Sequence, residues 1–444
     1  VGDRGRAPTV SAKPAWRNWA GDQACSPATV EHPGTRSEVA EAVARAREAG
    51  RTVRVAGAGH SFTDAVLTDG TLLSLDRMRR VIDIDRPSGL VRVEGGISLR
   101  ELSDALYDEG LAFENLGDID VQSIAGATAT GTHGTGGRLR NISAGLHAVE
   151  LTLADGSRLE VSAQDDADAW RAARVSLGAL GVVTAVTLQA VPAFTLEGVD
   201  STAPLDDVLD GLDDLVAKND HFELYSFPHS PLALTRANNR VDGPPRPPSR
   251  AREWMDEVLL RNYVFGLACR AGRRSHRLIP SLNRLLSRAS GTSRKVDRSY
   301  LVFASPRLVR FTEMEYAIPR ARAAEALRLV RAGVEERGFA VPFPIEMRFV
   351  APDDALLSTA GGRDTAYIAV HMYNGMAWEP YFRMVEEIMD SLEGRPHWGK
   401  RHFQTAATLE RRYPEWERFN AVRRRLDPEG LFANGYVRRV LGDQ

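Results

Sequence analysis

The feature that most constrains this chain is a strand pattern that runs into glycines and stops on a histidine: Val53-Arg54-Val55-Ala56-Gly57-Ala58-Gly59-His60-Ser61-Phe62-Thr63-Asp64. Gly57 and Gly59 carry no side chain where a backbone could approach a pyrophosphate and turn its N–H groups toward it. A tight turn after a buried strand, ending on a solvated histidine, would use the same residues. The sequel narrows the choice. Ser61 to Asp64 leads to Gly70 and not to an apolar helix, so this is not the dinucleotide fingerprint of a doubly wound fold.

With 444 residues, the chain has room for two or three domains. Its 43% hydrophobic and 26% charged residues, with a net charge of −2, are those of a soluble globular protein; a nucleic-acid binder would be more basic. Cys25 and Cys269 are the only cysteines. They can form neither a disulfide framework nor a four-ligand zinc cluster, and a reducing, cytoplasmic setting is expected. No apolar run reaches the roughly 18 residues that span a bilayer. The apolar helix candidate Trp254 to Cys269 is followed by many arginines between Arg270 and Arg298. Such a stretch either lies peripherally on a membrane or forms a domain helix with a solvated arginine face.

Along the chain, Thr35-Arg36-Ser37-Glu38 has capping-box spacing, and Val39, Val43 and Ala46 follow on one helical face until Gly50. Short strands are expected at Val81 to Ile84 and Leu90 to Glu94, then a helix from Ser98 to Asp108. Asn115 to Gly137 is too rich in glycine and threonine to be a helix. Its run Ser123 to His133 is small at almost every position, as needed where a flat ligand lies against backbone, or in a plain glycine-rich loop. Asp155-Gly156 marks a hairpin, and Pro192 marks a boundary. Beyond it, Leu205 to Val216 and Arg320 to Arg337 read as helices, Arg310 to Ile318 as a strand, and Glu379 to Glu393 as a helix.

Polar residues interrupt two apolar strands. Glu346 and Arg348, two apart, share one face; so do Tyr367 and His371, four apart. The two strands could line one pocket, or present a solvated face with a surface ion pair. Arg395-Pro396-His397-Trp398-Gly399-Lys400 reads as a fixed turn that offers Lys400 to an anion, or as an ordinary surface turn. No HExxH, paired CxxC, nucleophile elbow or P-loop occurs, so no metal site is expected, and acyl and phosphoryl transfer lack their residues. His147, His221 and His229 read as structural.

Taken together, these motifs resemble a family. Gly57 to Phe62, Gly126 to Gly136, Ser176 to Gly181, Glu346-x-Arg348, His397-Trp398-Gly399-Lys400 and Leu426-Asp427-Pro428…Phe432-x-Asn434 are similar, in order and spacing, to the vanillyl-alcohol-oxidase-type flavoproteins. Within that group the chain resembles the aldonolactone oxidoreductases, the gulono-, galactono- and arabinono-1,4-lactone oxidases and dehydrogenases, and most nearly the actinobacterial gulonolactone-oxidising enzymes. The likeness extends over nearly the whole chain from Trp16.

The resemblance implies an α+β fold of the two-domain FAD-binding type. It divides the chain into a flexible arm (1–15), an FAD-binding domain (16–192), an α/β cap domain for substrate (193–394) and a C-terminal segment (395–444) that returns to the flavin. It implies FAD bonded covalently at its 8α carbon through His60, with Val55, Ala56, Gly57, Ala58, Gly59 and Ser61 around the pyrophosphate. Ser123, Gly126, Ala127, Thr128, Ala129 and Thr130 match a second FAD-contacting segment, Gly181 and Val183 match backbone that meets adenine, and Asn434 belongs to the same set. Glu346, Arg348, His371 and Lys400 match the active-site residues: Arg348 and Lys400 supply positive charge, Glu346 orients substrate hydroxyls, and His371 or Lys400 serves as base. Gly117, beside the flavin, stands where family oxidases carry glycine and dehydrogenases alanine. Asp118 replaces a serine of the alditol oxidases and leans toward lactones. The implied reaction is oxidation of the C2 hydroxyl of an aldono-1,4-lactone, with oxygen or an acceptor such as cytochrome c taking the electrons. An alditol oxidase acting on xylitol or sorbitol is the alternative, and a flavin-free membrane-surface protein a remote one.

Overall fold

The structure, a computed structural model, describes residues 16–443; the arm expected over 1–15 lies outside them. A helix and two small sheets build the N-terminal part. Helix Arg36–Glu48 starts where the Thr35 side chain accepts from Glu38 N–H and buries Val39, Ala42, Val43 and Ala46. The Glu38 carboxylate reaches back to Gly34 N–H at 2.7 Å. The helix precedes strand Val53–Ala56, which lies parallel to Thr71–Ser74. A five-stranded antiparallel sheet follows in the order Arg158–Ser162, Leu146–Thr152, Val182–Gln189, Leu90–Glu94, Val81–Asp85.

Between these sheets the glycine-rich stretch holds a short helix, Ile124–Ala129, which the sequence reading excluded. Ser123 makes it possible: its hydroxyl accepts from Gly126 N–H at 3.3 Å, and Ile124 and Ala127 are buried. A cap and two core contacts outweigh the shortness of the segment and the poor helix propensity of Gly126 and Thr128. The helix expected over Leu205 to Val216 is likewise two, Leu205–Asp210 and Leu212–Lys218, divided at Gly211.

The larger sheet has eight antiparallel strands, in the order Ser293–Arg298, Thr195–Pro204, Leu232–Val241, His221–Ser226, Ile345–Val350, Thr365–Tyr373, Phe311–Pro319 and Arg395–Pro396. Strand periodicity divides it by chemistry. Phe222, Leu224, Met314, Ile345, Met347 and Ile368 pack in one core with helices Ala323–Glu336 and Glu379–Ser391. The opposite face is polar and looks into a cavity.

The C-terminal segment ties the two halves together. After Arg395–Pro396 pairs with Tyr316 and Ala317 at the sheet edge, Trp398 is fully buried on Tyr413 and donates to Leu357 O at 2.8 Å. Tyr436 Oη donates to Trp398 O at 2.9 Å. The Asp427 carboxylate accepts from Leu431 and Phe432 N–H, and Val53 N–H donates to Leu431 O. Arg54 then closes the join: buried in the strand before the glycine turn, it donates to the carbonyls of Ala65, Leu177, Gly178 and Phe432. Burial lowers its pKa to about 10.

Replacing Arg54 with Met leaves those four carbonyls without their donor. It is expected to destabilise the fold by roughly 3 kcal/mol, since orphaned buried acceptors cost about 1–3 kcal/mol each and some will find water. Thermal unfolding of the purified variant against wild type checks this.

Candidate active site

The polar face of the large sheet is assembled by register. Glu346 pairs with Ala369 and Arg348 with Tyr367, so Glu346, Arg348 and His371 look the same way from adjacent strands. His371 pairs with Glu313 on the next strand, and Ala369 with Glu315. On the other side Tyr225 pairs with Glu346. The sheet therefore delivers a row of carboxylates, an arginine and a histidine to one wall of a cavity of about 500 Å³. All three of Glu346, Arg348 and His371 are less than 10% exposed, so the surface-ion-pair reading does not hold.

Arg348 is the hub. Its guanidinium meets Glu223 at 3.0 Å, Asp118 at 3.4 Å, and Glu346 in direct contact. Asp118 also pairs with Arg307, and although burial opposes ionisation, Arg348 and Arg307 hold its carboxyl well below the usual range. Glu346 behaves oppositely. Burial, together with the charges of Asp118 and Glu223, outweighs Arg348 and lifts its pKa to about 7. Three carboxylates around one guanidinium cannot all be stabilised as anions, and Glu346 is the one that keeps a proton near neutrality.

Glu313 links the other two expected groups. One oxygen lies 3.4 Å from His371 Nε2 and the other contacts Lys400 Nζ. Burial disfavours charge on all three, yet their mutual attraction wins: Glu313 is lowered, and His371 and Lys400 are raised. The His371 ring sits edge-on to Phe311 and stacked on Phe343. Lys400 is fixed by the turn, which is sewn to the Glu313 strand: His397 N–H donates to Glu315 O and Arg401 N–H to Glu313 O, both at 2.9 Å.

Three possible metal ligands, His133, Glu315 and His397, meet behind this wall within 4.8 Å. Their hydrogen bonds suit a proton-sharing cluster better than a metal. Gly399 N–H donates to His397 Nδ1 at 3.1 Å, which leaves the proton on Nε2, the nitrogen a metal would need. His133 Nε2 instead faces Glu315 at 3.2 Å.

The glycine turn lies beside Lys400. Phe62 N–H donates to Gly399 O at 2.8 Å, and a Cβ on Gly399 would touch Ser61 and Thr130. A Cβ on Gly57 would fall 2.4 Å from Ser123 Oγ and displace the hydroxyl that caps helix Ile124–Ala129. Leu177 N–H donates to Ala129 O, which brings the Ser176 to Gly181 stretch to the same place. Gly181, at φ +150°, packs on Thr152 O, and Val183 follows in the five-stranded sheet. His60 stacks on Trp19 at 5.2 Å; its Nδ1 is buried and has no hydrogen-bond partner. Burial, and then Lys400, lower its pKa to about 4, so the ring is neutral. These residues fit a flavin. Asn434 serves the backbone instead: its amide donates to the carbonyls of Asp64, Ala65 and Leu67, and its oxygen caps helix Gly435–Leu441.

Comparison with known proteins agrees. Cholesterol oxidase from Brevibacterium sterolicum superposes with a TM-score of 0.80 over 99% of this chain and 100% of that one; at 18% identity the likeness is one of fold. Residues 27–162 match the family described as FAD binding domain, which places the chain among FAD-binding proteins. Residues 186–440 match the family described as D-arabinono-1,4-lactone oxidase. L-gulono-1,4-lactone dehydrogenase of Mycobacterium tuberculosis is 52% identical over 97% of this chain and 99% of its own length. L-gulonolactone oxidase of Mus musculus is 34% identical over 96% and 98%. The chain belongs to this family of FAD-dependent aldonolactone oxidoreductases.

Sequence reasoning missed Glu223, Arg307, Glu313 and Glu315. The signal for the last two was present: Glu313-x-Glu315 places two carboxylates on one face of a strand that is otherwise apolar.

Glu313 raises the pKa of His371, so a reaction that needs neutral His371 should accelerate as pH rises through a value above 6.5. In Glu313→Gln the raising charge is gone and the rise is expected at lower pH. The pH profile of kcat/KM for both proteins checks this.

Proposed function

We propose that this enzyme oxidises the C2 hydroxyl of an aldono-1,4-lactone, with FAD bonded covalently through His60 Nδ1. The observation that carries the reading is the junction of the His60 turn with the Lys400 turn, next to the wall bearing Glu346, Arg348 and His371. FAD, held by the His60 turn and the Ser123 to Thr130 segment, would supply the hydride acceptor for the carbinol carbon and a route for the electrons to an acceptor.

The chain's residues supply the rest. Arg348 and Lys400 hold fixed positive charge in a low-dielectric site, where oxygens gaining negative charge are stabilised strongly. Glu346, protonated near neutrality, can donate to a ring or hydroxyl oxygen of the lactone and so set which face is presented. Neutral His371 takes the proton of the C2 hydroxyl, and Glu313 keeps its ring in place and balances the charge that results. Asp118, pinned by Arg307 and Arg348, supports a lactone in preference to a linear alditol. Gly117 supports oxygen as acceptor: a Cβ there would lie 3.1 Å from His133 O, within the cavity wall. Cys25 and Cys269 are both free, which suits a cytoplasmic setting.

Acid-precipitated wild type is expected to stay yellow and His60→Ala to lose the colour; a colourless pellet from flavin-loaded wild type contradicts the covalent bond. In a substrate panel, turnover with L-gulono-, L-galactono- or D-arabinono-1,4-lactone should exceed that with xylitol or sorbitol by about tenfold or more. Peroxide formation and cytochrome c reduction, run in parallel, decide the acceptor.

A further inference from the structure

The helical segment 250–289 is built inside out. In the helix that runs through Trp254–Val264 and Phe265–Arg274, the buried positions are Asn262, Gly266, Cys269 and Gly272. Its large apolar residues Trp254, Met255, Leu260, Tyr263, Val264 and Leu267 are 40–59% exposed. Leu260, Tyr263, Val264 and Leu267 lie where the π-helix Trp254–Val264 passes into the α-helix Phe265–Arg274, and all four are exposed. Helix Ile279–Ala289 repeats the pattern, burying Ile279, Asn283 and Ser287 while Leu278 and Leu285 face out. A soluble helix buries its leucines and solvates its polar residues.

Charge decides what covers this face. From Arg250 to Arg310 there are fourteen arginines and lysines and four acids, in a chain whose net charge is −2. Ten of those arginines are exposed; of the acids, Asp297 is buried, and Glu253, Asp256 and Glu257 are half-buried and paired with Lys295, Arg252 and Arg261. Two copies brought together here would set arginine against arginine. An anionic surface with an apolar interior complements both properties, and Trp254 and Tyr263 are the residue types that settle at a membrane interface. No helix among the described residues is long and apolar enough to cross a membrane, so the contact is peripheral.

We propose that the segment 250–289 docks the holoenzyme onto an anionic lipid bilayer. Leu260 and Val264 belong both to the exposed apolar group and to the lining of the catalytic cavity, so docking sets the mouth of that cavity against the lipid.

The test is flotation of the flavin-loaded enzyme with phosphatidylglycerol vesicles and, separately, phosphatidylcholine vesicles. Wild type should float with the anionic vesicles, less so as salt rises, and remain behind with the zwitterionic ones. Two variants probe the two properties: Trp254→Ser/Tyr263→Ser/Leu267→Ser, and Arg270→Gln/Arg274→Gln/Arg277→Gln. Each charge removed should lower the partition coefficient about fivefold. Retained flavin colour and lactone turnover certify that each variant is folded. Wild type that stays unbound with phosphatidylglycerol overturns the proposal, as do variants that bind like wild type. Sedimentation that shows a wild-type dimer broken by the apolar variant would assign the face to a second copy and overturn it equally.

Discussion

A sheet face that carries charge into the interior survives only if each charge finds a partner there, and in this enzyme Arg348 provides the central pairing. Asp118, Glu223 and Glu346 converge on its guanidinium from a loop and two strands. Removing the arginine would leave three buried carboxylates facing one another. Its presence keeps Asp118 ionised and leaves Glu346 as the group that holds a proton. A second pairing, Lys400 with Glu313 and His371, stands beside the first and repeats its logic with a titratable base in place of a fixed cation. The polar wall is thus two neighbouring charge clusters built around one antiparallel sheet, and strand register aligns the residues that its strands contribute.

The flavin side depends on closure between distant parts of the chain. Arg54 binds carbonyls from three segments, Asp427 shapes the turn that delivers Leu431 and Phe432, and Asn434 holds the loop after His60. None of these contacts is chemistry. Together they determine where the His60 imidazole and the Gly399 turn meet, so the closing motif acts on the site through backbone geometry.

Much of this was legible in the sequence, for particular reasons. Glu346-x-Arg348 and Tyr367…His371 stood out because charged residues interrupt strands that are otherwise Ile, Met, Phe and Val. Glu313-x-Glu315 carries the same signal, but Met314 between two glutamates also fits a half-solvated strand. Only the register against His371 shows that the face is buried. Glu223 belongs to a strand that pairs locally with Leu232–Val241 but meets Glu346 and Arg348 only through the distant strand Ile345–Val350, and Arg307 belongs to a loop, so neither is marked by a local pattern. The ten-residue strands Thr195–Pro204 and Leu232–Val241 escaped because their alternation is polar on both sides, as Glu197, Asp200, Arg236 and Asn238 attest. Helix Ile124–Ala129 escaped because its formation rests on the Ser123 cap and on core contacts, which override composition.

The most direct measurement is anaerobic mixing of the holoenzyme with L-gulono-1,4-lactone, either unlabelled or carrying deuterium at C2, while flavin absorbance is followed. If the wall of Glu346, Arg348, His371 and Lys400 positions the C2 carbinol for hydride loss, the flavin bleaches without oxygen, and deuterium at C2 slows the bleaching. A flavin that stays oxidised with every aldonolactone, or bleaching slowed by deuterium at C3 and not at C2, would contradict it.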